Sequence, residues 1–407
     1  MAQLRRLLFL LVALVLAEAS FADLIEPAPE KRSLAKVGDE LWLAANLNAP
    51  HITLRGYVLR LDLRSGEWGL ESFKRPVLSI AQSDSTVWLG TYGDGLFQLT
   101  GDSRDSFTVA TTGFGDGGEH ESLRSDYVNS VVPRERQVFC ATGGGLSIYD
   151  VLEGQWVSFD TANSPLPANT VFALDEREGQ LWMTASNYGE LYYEGEVVGN
   201  ERGSLLSYDL ISGSWRTHTG VQKRIGPGGH SVALRGDMPA PNSDFRDVIV
   251  SPSGDVWFSY AGGVGRLRHD VWTLFDSRTS GINFRNGAQI AVQDGGVWVG
   301  TGSQLWRYEE ADDAWTVYQA GSDKIPGDYV VAVYVTDSTL WIKSRGRIDS
   351  GEGWGAELDR RRQLKENTTA LQQALYDPRH VEYLTRYEGG RWESWELTAV
   401  LLGFLAE

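Results

Sequence analysis

A short apolar segment centred on an aromatic residue recurs seven times along the chain, and this repetition constrains the fold more than any other feature. The seven segments are ELWLAA, TVWLGT, QVFCAT, QLWMTA, DVWFSY, GVWVGT and TLWIKS. Their central residues are Trp42, Trp88, Phe139, Trp182, Trp257, Trp298 and Trp341, and consecutive ones lie 41 to 75 residues apart. Such a period is typical of a β-propeller, whose units bury their faces only by stacking on one another.

Each repeat divides into four strands. In the stretch 244–275 the apolar runs VIV, VWF, VGRL and VWTLF are separated by PSGD, AGG and RHD, which carry turn-forming residues. A second set of aromatic residues marks the fourth strands: Trp68, Phe107, Trp156, Trp215, Trp272, Trp315 and Trp392. The sequence therefore predicts an all-β fold, a seven-bladed β-propeller of four-stranded antiparallel blades, in one domain over residues 33–396.

The two ends of the chain differ from the repeats. Residues 1–22 resemble a signal peptide, because Arg5 and Arg6 precede an apolar run too short to span a bilayer. Residues 23–32 form a lead-in and 397–407 an apolar tail. We expect a periplasmic or secreted protein with no membrane span after signal cleavage. The ring could close by direct packing of blade seven on blade one, with or without help from 23–30 or the tail.

Charge and cysteine content exclude some classes of function. A formal net charge of -17 argues against nucleic acid as a partner. Cys140 is the single cysteine, so an intramolecular disulfide is excluded, and the predicted role is that of a small buried hydrophobic residue. Asp116, Glu119, His120 and Glu121 gather in one glycine-rich loop, but their spacing matches no known metal motif. We predict no metal and no cofactor.

The connections between blades contain a finer repeat. ESLRSDYV, SPLPANTV and DKIPGDYV align without gaps and place Asp126, Asn169 and Asp328 at one position, where such side chains typically hold turns. With TVWLGTYGDGLFQL, QVFCATGGGLSIYD and GVWVGTGSQLWRYEE, they resemble the two-component regulator propeller repeat. The resemblance implies a periplasmic propeller that senses ligands, commonly ahead of a transmembrane helix and a kinase or regulator domain. Neither follows the seventh blade here, so we expect a free-standing binding module.

Loop lengths distinguish the two faces of the predicted ring. Loops joining strands one to two and three to four are uniformly short, whereas the long insertions fall on the other face, at 46–55, 111–125, 186–203, 219–243 and 344–380. We call these the short-loop face and the long-loop face. Insertion 186–203 is predicted to extend two strands as a hairpin, and 344–380 to form one helical insertion in the last blade. Function concentrates in loops that vary on a rigid scaffold, so the long-loop face is the predicted functional face.

The predicted function is non-enzymatic binding or sensing, outside the cytoplasm, of an unknown small molecule, glycan or envelope protein. The candidate ligand-binding residues are His120, His230, His380, Tyr188, Tyr192, Asp244, Arg246, Lys343 and Arg345. One alternative is a propeller lyase that acts on a polysaccharide or lactone-type substrate through histidines of this face. Another is a structural subunit of an envelope complex that docks through the blade-seven insertion. Catalytic activity and oligomeric state stay open.

Overall fold

The computed structural model describes most of the repeat region. The described residues are 32–45, 56–112, 121–134, 136–193, 196–219, 222–225, 231–234, 237–240, 245–282, 288–346 and 381–406. Only the backbone is described for 187–193, 196–202, 222–225, 231–234, 402 and 405–406. The predicted signal peptide, the loop 46–55 and the predicted helical insertion from 347 to 380 lie outside these residues.

Twenty-eight strands form seven four-stranded sheets, which are the blades. Blade one comprises β1 (Leu34–Val37), β2 (Glu40–Ala44), β3 (Gly56–Asp62) and β4 (Trp68–Phe73). Blade two comprises β5 (Val77–Ser83), β6 (Thr86–Thr91), β7 (Leu96–Thr100) and β8 (Ser103–Phe107). Blade three comprises β9 (Val128–Arg134), β10 (Gln137–Thr142), β11 (Gly145–Asp150) and β12 (Gln155–Phe159). Blade four comprises β13 (Val171–Arg177), β14 (Gln180–Tyr193), β15 (Glu196–Asp209) and β16 (Trp215–Thr219), and is followed by the separate hairpin of β17 (Gln222–Ile225) and β18 (Ser231–Leu234). Blade five comprises β19 (Phe245–Val250), β20 (Val256–Tyr260), β21 (Gly263–Arg268) and β22 (Val271–Asp276). Blade six comprises β23 (Gln289–Gln293), β24 (Gly296–Gly300), β25 (Gln304–Glu309) and β26 (Ala314–Gln319). Blade seven comprises β27 (Tyr329–Thr336), β28 (Thr339–Gly346), β29 (Val381–Glu388) and β30 (Arg391–Glu396). Helix α1 (Leu397–Ala406) follows directly.

The blades form a closed ring with the first strand of each blade on the inside. Every sheet holds its four strands in sequence order, all antiparallel. The first strands contact one another from blade to blade, and β27 of blade seven contacts β1 of blade one. The predicted seven-bladed propeller is confirmed, and so is the prediction that insertion 186–203 extends two strands as a hairpin, because β14 and β15 remain paired as far as Tyr193 and Glu196.

The aromatic residues of the second strands fill the wedges between blades. Trp257 is 3% exposed and stacks on Phe275 of its own blade, with ring centroids 5.7 Å apart. Tyr308 of blade six lies 5.5 Å from the same indole. Cys140 is buried beside the aromatic position of blade three, as predicted, and burial raises the pKa of its thiol. The large rings therefore bridge neighbouring blades within the apolar core.

Motif residues of the repeat have local structural roles. The Thr142 hydroxyl donates to the carbonyl of Gly145 at 2.8 Å and so fixes the turn between strands two and three. Asp126 accepts the backbone N–H of Val109 at 2.7 Å, and Asn169 accepts that of Thr161 at 2.9 Å. These contacts confirm that the two side chains hold turns.

The fourth-strand aromatic residues do not all occupy the same register position opposite strand three. Trp68 pairs with Leu61, whereas the corresponding partner of Leu99 in blade two is Arg104 rather than Phe107. Phe107 lies three residues further on, beside Leu96. The guanidinium group of Arg104 covers Phe73 and Phe97, at 4.1 and 5.0 Å from the ring centroids. A stacked cation therefore occupies the position that Trp68 takes in blade one.

Blade seven packs directly on blade one. Across this seam the backbone N–H of Lys36 donates to the hydroxyl of Tyr334 at 3.2 Å, and Lys36 Nζ lies 3.0 Å from a carboxylate oxygen of Asp337. Lys343 is fully buried, donates from Nζ to the carbonyl of Ala44 at 2.7 Å and pairs with Glu382 at 3.2 Å. Polar contacts made by Lys36 and Lys343 thus join the first and last blades.

The apolar tail completes the seam as helix α1. Leu397 and Leu401 are buried in one apolar cluster with Leu34 and Leu43 of blade one and Trp341 of blade seven. In the described chain each sheet contains strands of its own repeat alone, so packing rather than strand exchange closes the ring. Within the same residues, no helix is long and apolar enough to cross a bilayer.

Candidate functional site

The inner strands are irregular where they reach the long-loop face. Their pairing with the second strands shifts register at Leu78, Phe172 and Val331, and over two residues, Arg246 and Asp247, in blade five. Such bulges insert an unpaired residue and change the direction of its side chain. The bulged residues of blades two, four, five and seven therefore lie at the long-loop end of the inner strands.

Contacts between neighbouring blades establish where these residues lie at the mouth of the central channel. The guanidinium group of Arg246 lies over the ring of Phe172, 4.7 Å from its centroid, although the two residues belong to adjacent blades. Asn129, the extra residue of blade three, donates from Nδ2 to the carbonyl of Val171 at 2.8 Å. The wall of the mouth therefore contains a planar cation stacked on an aromatic ring.

Arg32 crosses the channel beneath this wall. Its carbonyl accepts the N–H of Ile80 in blade two at 3.0 Å, while Nη2 donates to the carbonyl of Val248 in blade five at 3.0 Å. Nη1 lies 3.8 Å from a carboxylate oxygen of Asp175 in blade four. Blades four and five are opposite blade one in a ring of seven, so the side chain spans the axis and forms the floor of a cup. Its φ of 59° is rare for a residue with a side chain.

Side chains that accept hydrogen bonds from the next blade hold the cup rigid. Asp175 Oδ2 accepts the N–H of Val250 at 2.7 Å, and Asp247 Oδ2 accepts that of Ile290 at 2.8 Å. Inner strands are edge strands, and these carboxylates satisfy N–H groups that would otherwise lack partners. Both acids keep their negative charge, so Arg32 and Arg246 lie in the cup beside two carboxylates.

The structure describes three of the nine candidate ligand-binding residues with their side chains. Arg246 lines the cup as described. Arg345 is half-buried and lies 5.8 Å from the ring centroid of Tyr329, which is 45% exposed. Lys343 is on the same strand, but its charge is buried in the seam between blades seven and one.

The other six candidates lie either on the β14–β15 hairpin or outside the described residues. Tyr188 and Tyr192 lie on the β14–β15 hairpin, where only the backbone is described. His120, His230, His380 and Asp244 lie outside the described residues, as does His51. Among the side chains that are described, no three of His, Cys, Asp or Glu group as cation ligands.

Several residues of the long-loop face were not expected from the sequence. Tyr92 and Tyr127 form an edge-to-face pair with centroids 4.8 Å apart, and Tyr127 is 47% exposed. Arg32 and Phe172 gave no motif signal, because one precedes the first repeat and the other occupies a bulge. A gapped alignment of the first strands would have shown the bulge as one extra residue.

Comparisons with known proteins agree with this architecture. The sequence matches no family profile and no curated protein sequence. The extracellular domain of the hybrid two-component system BT3049 from B. thetaiotaomicron superposes with a TM-score of 0.53 at 13% identity, over 77% of this chain and 38% of that chain. This likeness to the extracellular domain of a two-component system protein shows a shared propeller fold.

Two other solved structures are similar in fold. PorZ, a surface component of the type-IX secretion system of Porphyromonas gingivalis, gives a TM-score of 0.50 at 14% identity, over 76% of this chain and 44% of PorZ. A chain of the mitotic checkpoint complex gives 0.51 at 11%, over 78% and 86%. This propeller spans less than half of BT3049 and PorZ, and such different proteins show that the fold alone does not determine function.

Proposed function

We propose that this regulator-type propeller is a non-enzymatic binding module that acts outside the cytoplasm, with the cup on its long-loop face as the ligand site. The observation that carries the proposal is Arg246 stacked on Phe172 above the Arg32 floor. A planar guanidinium group recognises a carboxylate or sulfate by paired hydrogen bonds, so Arg246 at the channel mouth favours a ligand of that class. An anionic glycan or an acidic peptide has this chemistry.

The extracytoplasmic location is part of the same proposal. BT3049 contributes an extracellular domain of similar fold, and PorZ is a surface component. The apolar segment 7–17 of this chain supports export, since it follows two arginines.

A thermal-shift experiment tests the ligand class. Oligogalacturonate and its neutral counterpart, oligogalactose, are titrated against the protein, because a ligand at 100 times its Kd stabilises the fold by about 2.7 kcal/mol. We expect stabilisation by the acidic sugar alone, and its loss in Arg246→Gln. The matched control is Arg104→Gln, which removes another arginine stacked on a phenylalanine, but at the outer strand of blade two.

Two results would contradict the proposal. One is equal stabilisation by neutral and acidic sugars, which would remove the role of charge. The other is retention of the acidic-sugar shift in Arg246→Gln at the level of the Arg104→Gln control. An acidic peptide, acetylated Glu-Asp-Glu amide, serves as a second probe, so that sugar and peptide ligands are distinguished.

A further inference from the structure

The short-loop face contains a cleft between blades four and five that interrupts the regular packing of the ring. It has a volume of about 240 Å³. Trp182, Ser207, Asp209 and Trp215 of blade four line one side, and Leu267 of blade five lines the other. It opens among the turns of the short-loop face and is therefore separate from the cup.

Other blades show what normally occupies this position. In blades one, five, six and seven the residue paired with the second-strand tryptophan on strand three is an arginine, and its guanidinium group covers the indole. The pairs are Trp42 and Arg60, Trp257 and Arg266, Trp298 and Arg307, and Trp341 and Arg386, with centroid distances of 5.5, 5.4, 5.0 and 5.8 Å.

Blade four has the tryptophan without its arginine. The partner of Trp182 on strand three is Ser207, and in the described part of the chain no cation lies over this indole. Trp88 of blade two also lacks the arginine, but its partner on strand three is the longer Gln98. The other five second-strand tryptophans are 1 to 6% exposed, whereas Trp182 is only half-buried.

The acid that accompanies the arginine is nevertheless present. In blade six Arg307 pairs with Glu309, two residues further on, at 2.9 Å, and in blade seven Arg386 pairs with Glu388 in the same way. The corresponding residue in blade four is Asp209, which lines the cleft. Its Oδ1 accepts the backbone N–H groups of Ile211 and Ser212, its Oδ2 accepts Nε2 of Gln180 at 2.5 Å, and the residue remains partly exposed.

Two neighbouring side chains shape the space around the indole. Leu267 of blade five stands where blade six has Tyr308 and where blades one and two have Leu61 and Leu99. His218 stacks on Trp182 at 5.8 Å, in the place that Phe275 takes against Trp257, and is fully buried with Nδ1 2.6 Å from Asp237. The imidazole of His218 thus covers one side of the Trp182 indole, and the position that an arginine takes in four other blades is open.

We infer that this cleft binds a guanidinium group, presented as an arginine side chain by a partner protein or peptide. In four other blades an arginine of the same chain stacks its guanidinium group on the tryptophan at this position. Proteins commonly bind guanidinium groups by such stacking together with a carboxylate. Arg216 also lines the cleft, but it pairs with Asp270 at 3.5 Å, so the lining keeps one net negative charge. The rim is accessible, because Arg216 and Asp270 are 64% and 82% exposed.

Binding can be followed through the indole N–H resonance of Trp182 in ¹⁵N-labelled protein, assigned with Trp182→Phe. The probes are acetylarginine amide, free L-arginine and N-methylurea, which is planar and neutral. We expect saturable shifts with the first probe, none with N-methylurea, and at least a tenfold weaker affinity in Asp209→Asn. Tighter binding of free arginine than of the blocked form would support the guanidinium site but assign it to a small molecule.

Ser207→Arg provides the decisive variant. The new side chain should occupy the cleft as Arg307 does in blade six, so it should abolish probe binding and raise Tm by several degrees. Ser106→Arg adds the same charge on an exposed strand of blade two and should do neither. Unchanged probe binding in Ser207→Arg, or equal shifts with N-methylurea, would overturn the inference.

Discussion

At the scale of single residues, Trp257 shows what one aromatic position of the repeat contributes. It is buried between blades five and six and contacts rings of both. Trp257→Ala should lower the free energy of unfolding by about 3 to 5 kcal/mol, because a large cavity replaces the indole. Urea denaturation measures the change. Val271→Ala, at a 63% exposed site of the same blade, should stay within about 0.5 kcal/mol. Equal effects in the two variants would contradict the packing described.

Lys343 provides a second test, since its charge is buried. Lys343→Met leaves the carboxylate of Glu382, 13% exposed, without its ammonium partner. Breaking a buried pair in this way costs about 3 to 5 kcal/mol. The double variant Lys343→Met, Glu382→Leu should recover much of that loss, because no unpaired charge remains. Denaturant midpoints of the three variants measure the coupling, and strictly additive losses would contradict it.

Asp62 links one turn to the pH dependence of stability. Backbone N–H groups of Ser65 and Arg64 hold the pKa of its carboxyl below the usual range. A lowered pKa contributes stability that is present above the ordinary value and is lost as pH falls through the lowered one. Asp62→Asn should therefore lower Tm at pH 7, and the difference from the parent protein should shrink below about pH 4. A difference that does not change with pH would show that the ionised form is unimportant.

At the scale of elements, helix α1 should contribute to stability through one side only. Leu401 is 4% exposed in the seam cluster, whereas Ala399 of the same helix is exposed. Leu401→Asp should lower Tm by many degrees, because it places an unpaired charge against blades one and seven. Ala399→Asp adds the same charge on the outer side and should change Tm little. Similar losses in both variants would mean that the helix does not pack as described.

The elements also show why sequence reasoning succeeded in some places and failed in others. Strands carry their own signal, because each buried aromatic residue lies in an alternating run between turns, and so all seven blades were predicted. Helix α1 carries no such signal: all of its ten residues except Thr398 are apolar, and only the neighbouring blades determine which leucines are buried. Arg32 was missed for a related reason, since its partners are on the opposite side of the ring.

The cleft over Trp182 could have been found from the sequence, but only by comparing strand three rather than strand two. Ser207 departs from a position that is arginine in four of the seven repeats. Aligning the repeats on their tryptophans hides this, because the long hairpin of blade four shifts strand three by many residues. The register of the paired strands restores the correspondence.

At the scale of the whole molecule, the net charge of -17 makes self-repulsion a measurable contribution. Salt screens charges that are more than about 10 Å apart at 0.1 M, so repulsion across the ring weakens as salt rises. We expect Tm at pH 7 to rise between about 10 and 300 mM NaCl. The rise should be smaller near pH 4.9, the isoelectric point of the sequence. A fall in Tm with salt at pH 7 would indicate that surface ion pairs outweigh the repulsion.

Closure by packing also affects how such a gene can change. Each sheet is encoded by one continuous stretch of the reading frame, and within the described residues the two ends of the ring share no strand. Duplication or deletion of one blade-length segment therefore leaves every remaining sheet whole, and only the new neighbours at the junction must become complementary. In a ring sealed by an exchanged strand, the first and last repeats would have to change together. Here the terminal helix can be remodelled independently as the circumference grows or shrinks.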